Sequence, residues 1–336
     1  MYSRAAMDPT QLPASPPPPG IRSNFDNPDN YKSQVIILQA VVVPFTTLAV
    51  FIRLYTRAVI KKSLGADDWL ALLSLALVLL FSVVTAYSTV WGFGMHIYDI
   101  RATEILHTLK WLAVTQKTYF PLILAIKLCI LLGYLRIFSV DRFTKWGIWA
   151  GIVVVSIFYV VFFFLDIFRC MPVEAAWNPT IKGRCLSYAA LPDATGIVNL
   201  ISDFYILLLP LRPIFNMNMD LSRRLRIASI FGLGLTCIAS ILRFVVSIQY
   251  AANPDQTYVA AKVLYWTVLE INIGLICPCV IVSPAFFDIA TPKSFGSLVG
   301  SLLAKRSGSQ SNIASPPGSN KGDKGSYHSR EERESI

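Results

Sequence analysis

Seven stretches of this chain stay apolar for about 20 residues or more, and they decide its solvent: 35–55, 69–91, 111–135, 147–168, 189–211, 227–250 and 261–286. A hydrocarbon core of ~30 Å needs about 20 helical residues to cross it. Inside that core no water satisfies a backbone N–H or C=O, so only helices or a closed barrel can span. The apolar/polar alternation of a transmembrane strand is absent from all seven stretches. The fold class that follows is all-α, a seven-transmembrane helix bundle. Composition agrees: 54% of the residues are hydrophobic and 15% charged, where a soluble domain carries roughly a quarter charged.

The formal net charge of +10 raises the question of a nucleic-acid partner. Its distribution answers differently. Basic residues crowd the loops after the first, third and fifth spans, with Arg57, Lys61, Lys62, Arg142, Lys145, Arg212, Arg223, Arg224 and Arg226. The loops after the second, fourth and sixth carry fewer basic residues, Arg101, Lys182 and Arg184 among them. The positive-inside rule puts the first set in the cytosol, the N-terminus outside and the C-terminus in the cytosol. The chain then divides into a disordered extracellular tail (1–34), the membrane domain (35–290) and a disordered cytosolic tail (291–336). Met1 to Gly20 lacks the apolar core of a cleavable signal peptide, so the first span is expected to direct insertion. Within the C-terminal tail, the run from Lys305 to Ser311 reads either as a basophilic phosphorylation site or as a solvated segment brushing anionic lipid.

The six cysteines are of two kinds. Cys129, Cys237, Cys277 and Cys279 lie in apolar runs and read as small hydrophobes. Cys170 and Cys185 lie in a polar loop on the side assigned to the exterior, where a disulfide is expected. Closing the loop over their 14 intervening residues contributes about 3 kcal/mol in the chain-entropy picture. His96, His107 and His328 form no cluster with metal-ligand spacing, so no metal site is expected.

Ionisable residues inside a span cost roughly 2.5–3.5 kcal/mol each on insertion scales and need a reason. Lys127, Asp203, Arg243 and Glu270 stand out. Counted along the helices, Lys127 and Asp203 share mid-depth while Arg243 and Glu270 share the outer half, which predicts two ion pairs. Polar stripes accompany them: Thr236, Ser240, Arg243 and Ser247 on the sixth helix; Thr195, Asn199 and Asp203 on the fifth; Ser156, Tyr159, Phe163 and Asp166 on the fourth. Two readings stay open. Arg243, Glu270, Ser240, Ser247, Asn199, Asp203 and Lys127 line a polar ligand pocket, or they are hydrogen-bonding glue between helices.

Asp67-Asp68-Trp69 opens the second helix. An acidic pair there caps free N–H groups and suits the positive end of the helix dipole, while Trp69 suits the interface. A compatible, sharper reading pairs one Asp with Arg53, Arg57 or Arg136 and so holds the cytosolic ends together as a switch. Pro44, Pro121, Pro210 and Pro278 mark helix breaks.

Three stretches carry a family resemblance. They are Arg53-Leu54-Tyr55-Thr56-Arg57 with Gly65-Ala66-Asp67-Asp68-Trp69; Lys127 through Tyr134-Leu135-Arg136-Ile137-Phe138; and Cys170, Trp177, Cys185, Asn199, Asp203 and Pro210 followed by Glu270 and Asn272. In order and spacing, over roughly residues 35–290, the chain resembles the fungal rhodopsin-like domain family. The resemblance implies a topology like that of G-protein-coupled receptors. It does not imply retinal: a Schiff base needs a lysine in the middle of helix 7, and Lys262 lies in its first turn.

No nucleophile–base set, phosphate loop or catalytic carboxylate pair is visible, so neither an enzyme nor a cofactor is expected. The expectation is a cell-surface receptor in the plasma membrane, which binds an unknown small ligand from outside and signals through basic inner loops. Its partners would be the lipid bilayer and a G protein, not nucleic acid. The alternatives are a transporter or channel using the intramembrane charges, and a scaffold without a ligand. The absence of an evident repeat between halves weighs against a transporter. The topology is testable: a cysteine placed at Ser309 should stay unreactive to an impermeant thiol reagent in sealed cells and label once they are opened. Labelling in sealed cells reverses the orientation.

Overall fold

The computed structural model describes residues 12–137, 142–178, 180–186, 190–211, 220–252 and 255–282. Seven helices long and apolar enough to span a membrane follow in order: α1 (Lys32–Tyr55), α2 (Ala66–Val90), α3 (Ile105–Ile137), α4 (Arg142–Ile167), α5 (Ala190–Leu208), α6 (Asp220–Ala252) and α7 (Gln256–Val282). The protein is a multi-pass, all-α membrane protein. Among the described residues, strand is confined to two short pieces, β1 (Cys170–Met171) and β2 (Arg184–Cys185).

Each helix buries one stripe and offers the rest to lipid. On α4 the buried positions are Thr144, Ile148, Gly151, Val155, Tyr159 and Asp166, at steps of three, four or seven. Trp146, Val153, Ile157 and Phe164 on the same helix are exposed large apolar side chains, which are tolerable only in hydrocarbon. The central helices are α3, packed on α2, α4 and α7, and α7, packed on α1, α2, α3 and α6. Small residues set the closest approaches. A Cβ on Gly196 of α5 would lie 2.7 Å from the Phe244 ring on α6, and one on Gly151 of α4 would lie 2.7 Å from the Tyr205 ring on α5. Thr46 of α1 donates to the Asn272 side chain of α7 at 2.7 Å, a polar link inside lipid-depth packing.

Several boundaries differ from the sequence reading. Helix α3 begins six residues before the apolar run, and α6 begins at Asp220, so Arg223, Arg224 and Arg226 lie within a helix instead of a loop. Polar residues continue a helix past the hydrocarbon because its hydrogen bonds need no apolar side chains. Pro44, Pro121 and Pro278 sit inside α1, α3 and α7, whereas Pro210 follows α5. Arg212, the tail expected from residue 291 and the Lys305–Ser311 run lie outside the described residues.

The segment read as a disordered N-terminal tail makes ordered contacts from residue 12. Ala14 donates to Ile100 and Ala102 to Leu12, both at 2.9 Å, and Tyr31 donates to Gly94 at 2.8 Å. These bonds pin the segment to the α2–α3 connection, which is tied in turn to the start of α7: Asp255 accepts from the Ile97 N–H at 3.0 Å and also contacts His96. Low hydrophobicity argues for disorder only while the backbone has no partner edge, and the α2–α3 connection supplies one.

Cys170 and Cys185 are disulfide-bonded and face each other across the β1–β2 ladder, bracing the α4–α5 connection at the same end of the bundle. Non-reduced protein should yield a linked Cys170–Cys185 peptide by mass spectrometry. A Cys170→Ser/Cys185→Ser protein should lose about 3 kcal/mol of stability, read as a lower melting temperature in detergent.

Candidate functional site

The intramembrane charges meet in one buried network. Lys127 on α3 donates to Asp203 at 2.6 Å, to the Ser202 hydroxyl at 2.5 Å and to the Asn199 carbonyl at 3.2 Å, all on α5. Arg243 on α6 donates through Nε to Glu270 on α7 at 2.7 Å. These are the two pairs that the depth count predicts, but they are not separate. The Asn199 amide Nδ2 donates to Asp203 at 3.0 Å and to Glu270 at 2.7 Å, one group bridging two carboxylates. Its Oδ1 accepts from Tyr159 of α4 at 2.6 Å and from Tyr119 of α3 at 3.4 Å. Ser240 of α6 donates to the second Asp203 oxygen at 2.5 Å. Helices α3 to α7 all contribute. Lys127, Asn199 and Glu270 are each 1% exposed, so no bulk water shares this work.

Local spacing explains the assembly. Asn199 and Asp203 are one helical turn apart, so both face the bundle axis from α5. Ser240, Arg243 and Ser247 lie on one buried stripe of α6. The rings of Tyr159 and Tyr119 lie 5.5 Å from Lys127 Nζ and from the Arg243 guanidinium carbon respectively, within cation–π range.

Beside this network, toward the disulfide-bearing end, a cavity of about 850 Å³ (counting the open space at its mouth) enters the bundle. Arg243 and Tyr119 belong to both network and cavity wall. Asp166 and Arg169 from the end of α4 also line it, with Phe81, Phe93, Phe120 and Leu264 supplying apolar wall. Of the seven residues read as pocket candidates, Arg243 and Ser247 line the cavity; Lys127, Asn199, Asp203, Ser240 and Glu270 do not. The physical reason is that those five consume one another's hydrogen bonds where the helices close. Arg169, Tyr119 and Thr115 are lining residues that the sequence reading did not single out. A signal existed: Thr108, Thr115 and Tyr119 fall at i, i+7 and i+11, a stripe on α3.

A second charge cluster lies at the opposite end. Arg53 donates to Asp67 at 2.5 Å, to Asp68 at 3.0 Å and to the Pro278 carbonyl of α7 at 2.7 Å. Arg136 of α3 reaches Asp67 at 3.1 Å and Asp68 at 3.3 Å, and its second nitrogen donates to the Ser63 carbonyl at 2.5 Å. Arg57 stands 3.9 Å from both carboxylates. All three arginines considered for the acidic pair therefore surround it. Asp68 also accepts from the Gly65 N–H at 3.0 Å, as a helix-start carboxylate does. Lys262 stands near the start of α7 with its ammonium 4.7 Å from the Tyr258 ring centre.

The architecture is thus a seven-helix membrane protein with a cavity at one end, a buried charge network beneath it and an arginine–aspartate clamp at the other. Residues 52–288 match the family described as the fungal rhodopsin domain, and the chain belongs to that family. Fugralins biosynthesis cluster protein 2 of Gibberella zeae is 28% identical over 292 residues, covering 80% of this chain and 69% of its own length. The SAT4 family membrane protein of Emericella nidulans is 32% identical over 210 residues, 62% of this chain and 53% of the relative, so the alignment spans about half of that protein. Receptor GIN3 of Arthrobotrys oligospora is 24% identical over 311 residues, 89% of this chain and 74% of the receptor. No solved structure matches.

Charge reversal tests the pair. Arg243→Glu and Glu270→Arg should each cost on the order of 3–5 kcal/mol, by leaving a buried charge opposed, and should lower the folded yield at the membrane. The double swap should recover much of the loss, though not all, because an arginine at 270 gives Asn199 no acceptor. Strictly additive losses show that the two do not interact.

Proposed function

We propose that this protein is a cell-surface receptor that binds a small molecule in the cavity and relays occupancy to its basic end. In this reading the disulfide loop and N-terminal segment face the exterior, the basic end faces the cytosol, and the bilayer is the plasma membrane. The observation that carries the proposal is the double membership of Arg243. The same guanidinium forms cavity wall and holds Glu270, which Asn199 links to Asp203 and Lys127. A ligand that displaces Arg243 alters the contact between α6 and α7 directly. The receptor name carried by one relative supports the class. The partner on the cytosolic side is a G protein, engaged by the basic residues of 212–226. The reading assigns no catalytic step.

The buried charges also favour a second reading, transport, because intramembrane ionisable groups mark ion and proton paths. One experiment separates the two. Detergent-solubilised protein should capture a G-protein α subunit, and Arg223→Glu/Arg224→Glu/Arg226→Glu should reduce capture about ten-fold or more, the worth of a few surface charge contacts. Protein in liposomes should show no saturable flux of protons or solute. Flux without capture replaces the receptor with a transporter.

A further inference from the structure

We infer that the cavity ligand is an uncharged organic molecule with a polar group at each end. A hydrogen-bond acceptor meets Arg243 at the base, a donor meets Asp166 nearer the mouth, and an apolar middle lies along the phenylalanine wall. The inference rests on the receptor reading for its biological meaning, but on the cavity wall for its chemistry.

The first observation is a pair of buried polar atoms of opposite kind in the wall. Arg243 is 7% exposed and gives its Nε to Glu270, while its Nη2 has no hydrogen-bond partner among the described residues. Asp166 is 6% exposed, and its Oδ2 likewise has none. The Lys117 ammonium stands 3.6 Å from that oxygen, near enough to balance its charge but too far to donate a hydrogen bond. Both side chains line the cavity. A guanidinium keeps its protons and an ionised carboxylate has only lone pairs to offer, so the first needs an acceptor and the second a donor. Leaving either unmet is costly in a buried site, and a ligand that supplies both groups removes the cost. The other polar lining suits the same partner. Thr115 and Thr195 spend their hydroxyl protons on carbonyls of their own helices at 2.9 Å, Thr267 does so at 2.8 Å, and Gln116 and Ser247 are uncharged.

The second observation is that the ions of the wall are already engaged. Arg243 pairs with Glu270 at 2.7 Å, Asp166 stands beside Lys117, and Arg169 has an interaction of its own. A charged ligand would lose its hydration on entering this low-dielectric site and would find no free counter-ion there. A purely apolar ligand would escape that cost but would leave Nη2 and Oδ2 unmet. An uncharged molecule that both accepts and donates avoids both penalties.

The third observation is the spacing of the two polar ends. Tyr159 of α4 donates to Asn199, which in turn bonds Glu270, the partner of Arg243. Asp166 lies two helical turns farther along α4, roughly 10 Å nearer the disulfide-bearing end. Phe81, Phe93, Leu112, Phe120 and Leu264 give the ligand body apolar and aromatic partners, and an opening of about 850 Å³ accommodates a compact molecule of that length.

The test uses the full-length protein in nanodiscs and equilibrium binding of radiolabelled p-hydroxybenzylacetone, whose phenol and ketone sit at opposite ends of an apolar body of about that length. Saturable binding above that of empty nanodiscs is expected. Its analogues each alter one end. The compound p-methoxybenzylacetone lacks the donor, p-butylphenol lacks the acceptor, p-hydroxyphenylpropionate makes the ketone end anionic, and tyramine makes it cationic. All should compete about ten-fold or more weaker, as loss of one buried hydrogen bond predicts. Lys117→Met/Asp166→Leu removes the outer acceptor without stranding an ammonium. It should weaken the probe about ten-fold while p-methoxybenzylacetone, which makes no use of that acceptor, binds as before. Arg243→Met/Glu270→Gln removes the deep donor without stranding a charge, and should weaken the probe as much while p-butylphenol binds as before. No saturable binding, as from a cavity that holds only water, overturns the inference. Equal competition by the anion, the cation, the methoxy or the butyl compound overturns it too, as does undiminished binding of the probe by either variant. Equal competition leaves the receptor reading standing, because G-protein capture is read separately. Saturable binding accompanied by flux of the probe in liposomes upholds the ligand class and removes the receptor.

Discussion

Placing two cations and two carboxylates among apolar helices is the constraint that the rest of this bundle obeys. Each ion loses several kcal/mol of hydration, and pairing alone does not reliably restore it. Here every carboxylate oxygen of Asp203 and Glu270 accepts at least one hydrogen bond from a side chain. Asn199 keeps two like charges in one site because its Nδ2 bridges them while its Oδ1 takes the tyrosine hydroxyls. Apolar residues of matching shape would hold helices together at least as well. What the network adds is specificity: each of α3 to α7 must present one face, at one height, for the bonds to close.

The arginine–aspartate clamp imposes a second set of conditions on overlapping helices. Arg53 and Arg136 fasten α1 and α3 to the start of α2, and Arg53 extends to the Pro278 carbonyl on α7. Helices α3 and α7 therefore carry both clusters, with Lys127 and Arg136 on one and Glu270 and Pro278 on the other. Eight or nine residues, roughly 12–14 Å of rigid helix, separate the clusters on each. Helix α7 takes part in both sets of bonds, so its rotation about its own axis is constrained at two depths.

Much of the site was legible because lipid makes polar residues conspicuous. Lys127, Asp203, Arg243 and Glu270 stand out against apolar runs, and counting turns pairs them correctly. Depth, however, is a one-dimensional measure. It separated the pairs that Asn199 joins, and periodicity left pocket and interhelical glue both open for Asn199, Ser240 and Glu270, which lie off the cavity wall. Arg169 escaped notice at the edge of a span, where an arginine is unremarkable, and Tyr119 because its stripe with Thr108 and Thr115 holds no charged residue to draw attention to it. The N-terminal segment deceived in the other direction: its composition reads as disorder, yet the α2–α3 connection pairs with its backbone.

The amino-acid sequence by itself determined the solvent, the number of spans, the helical class and the identities of the buried charges, because a hydrocarbon core penalises any other backbone and exposes every ionisable residue as an exception. It also marked Cys170 and Cys185 as partners, since two cysteines in one short polar loop have few other choices. Only the tertiary structure decided that the four charges form one network, that three arginines share two aspartates, and which side of Arg243 faces open space. Those outcomes depend on helix rotation and on close approaches such as those at Gly151 and Gly196. Such approaches are set by many packing contacts acting together, and no local spacing encodes them.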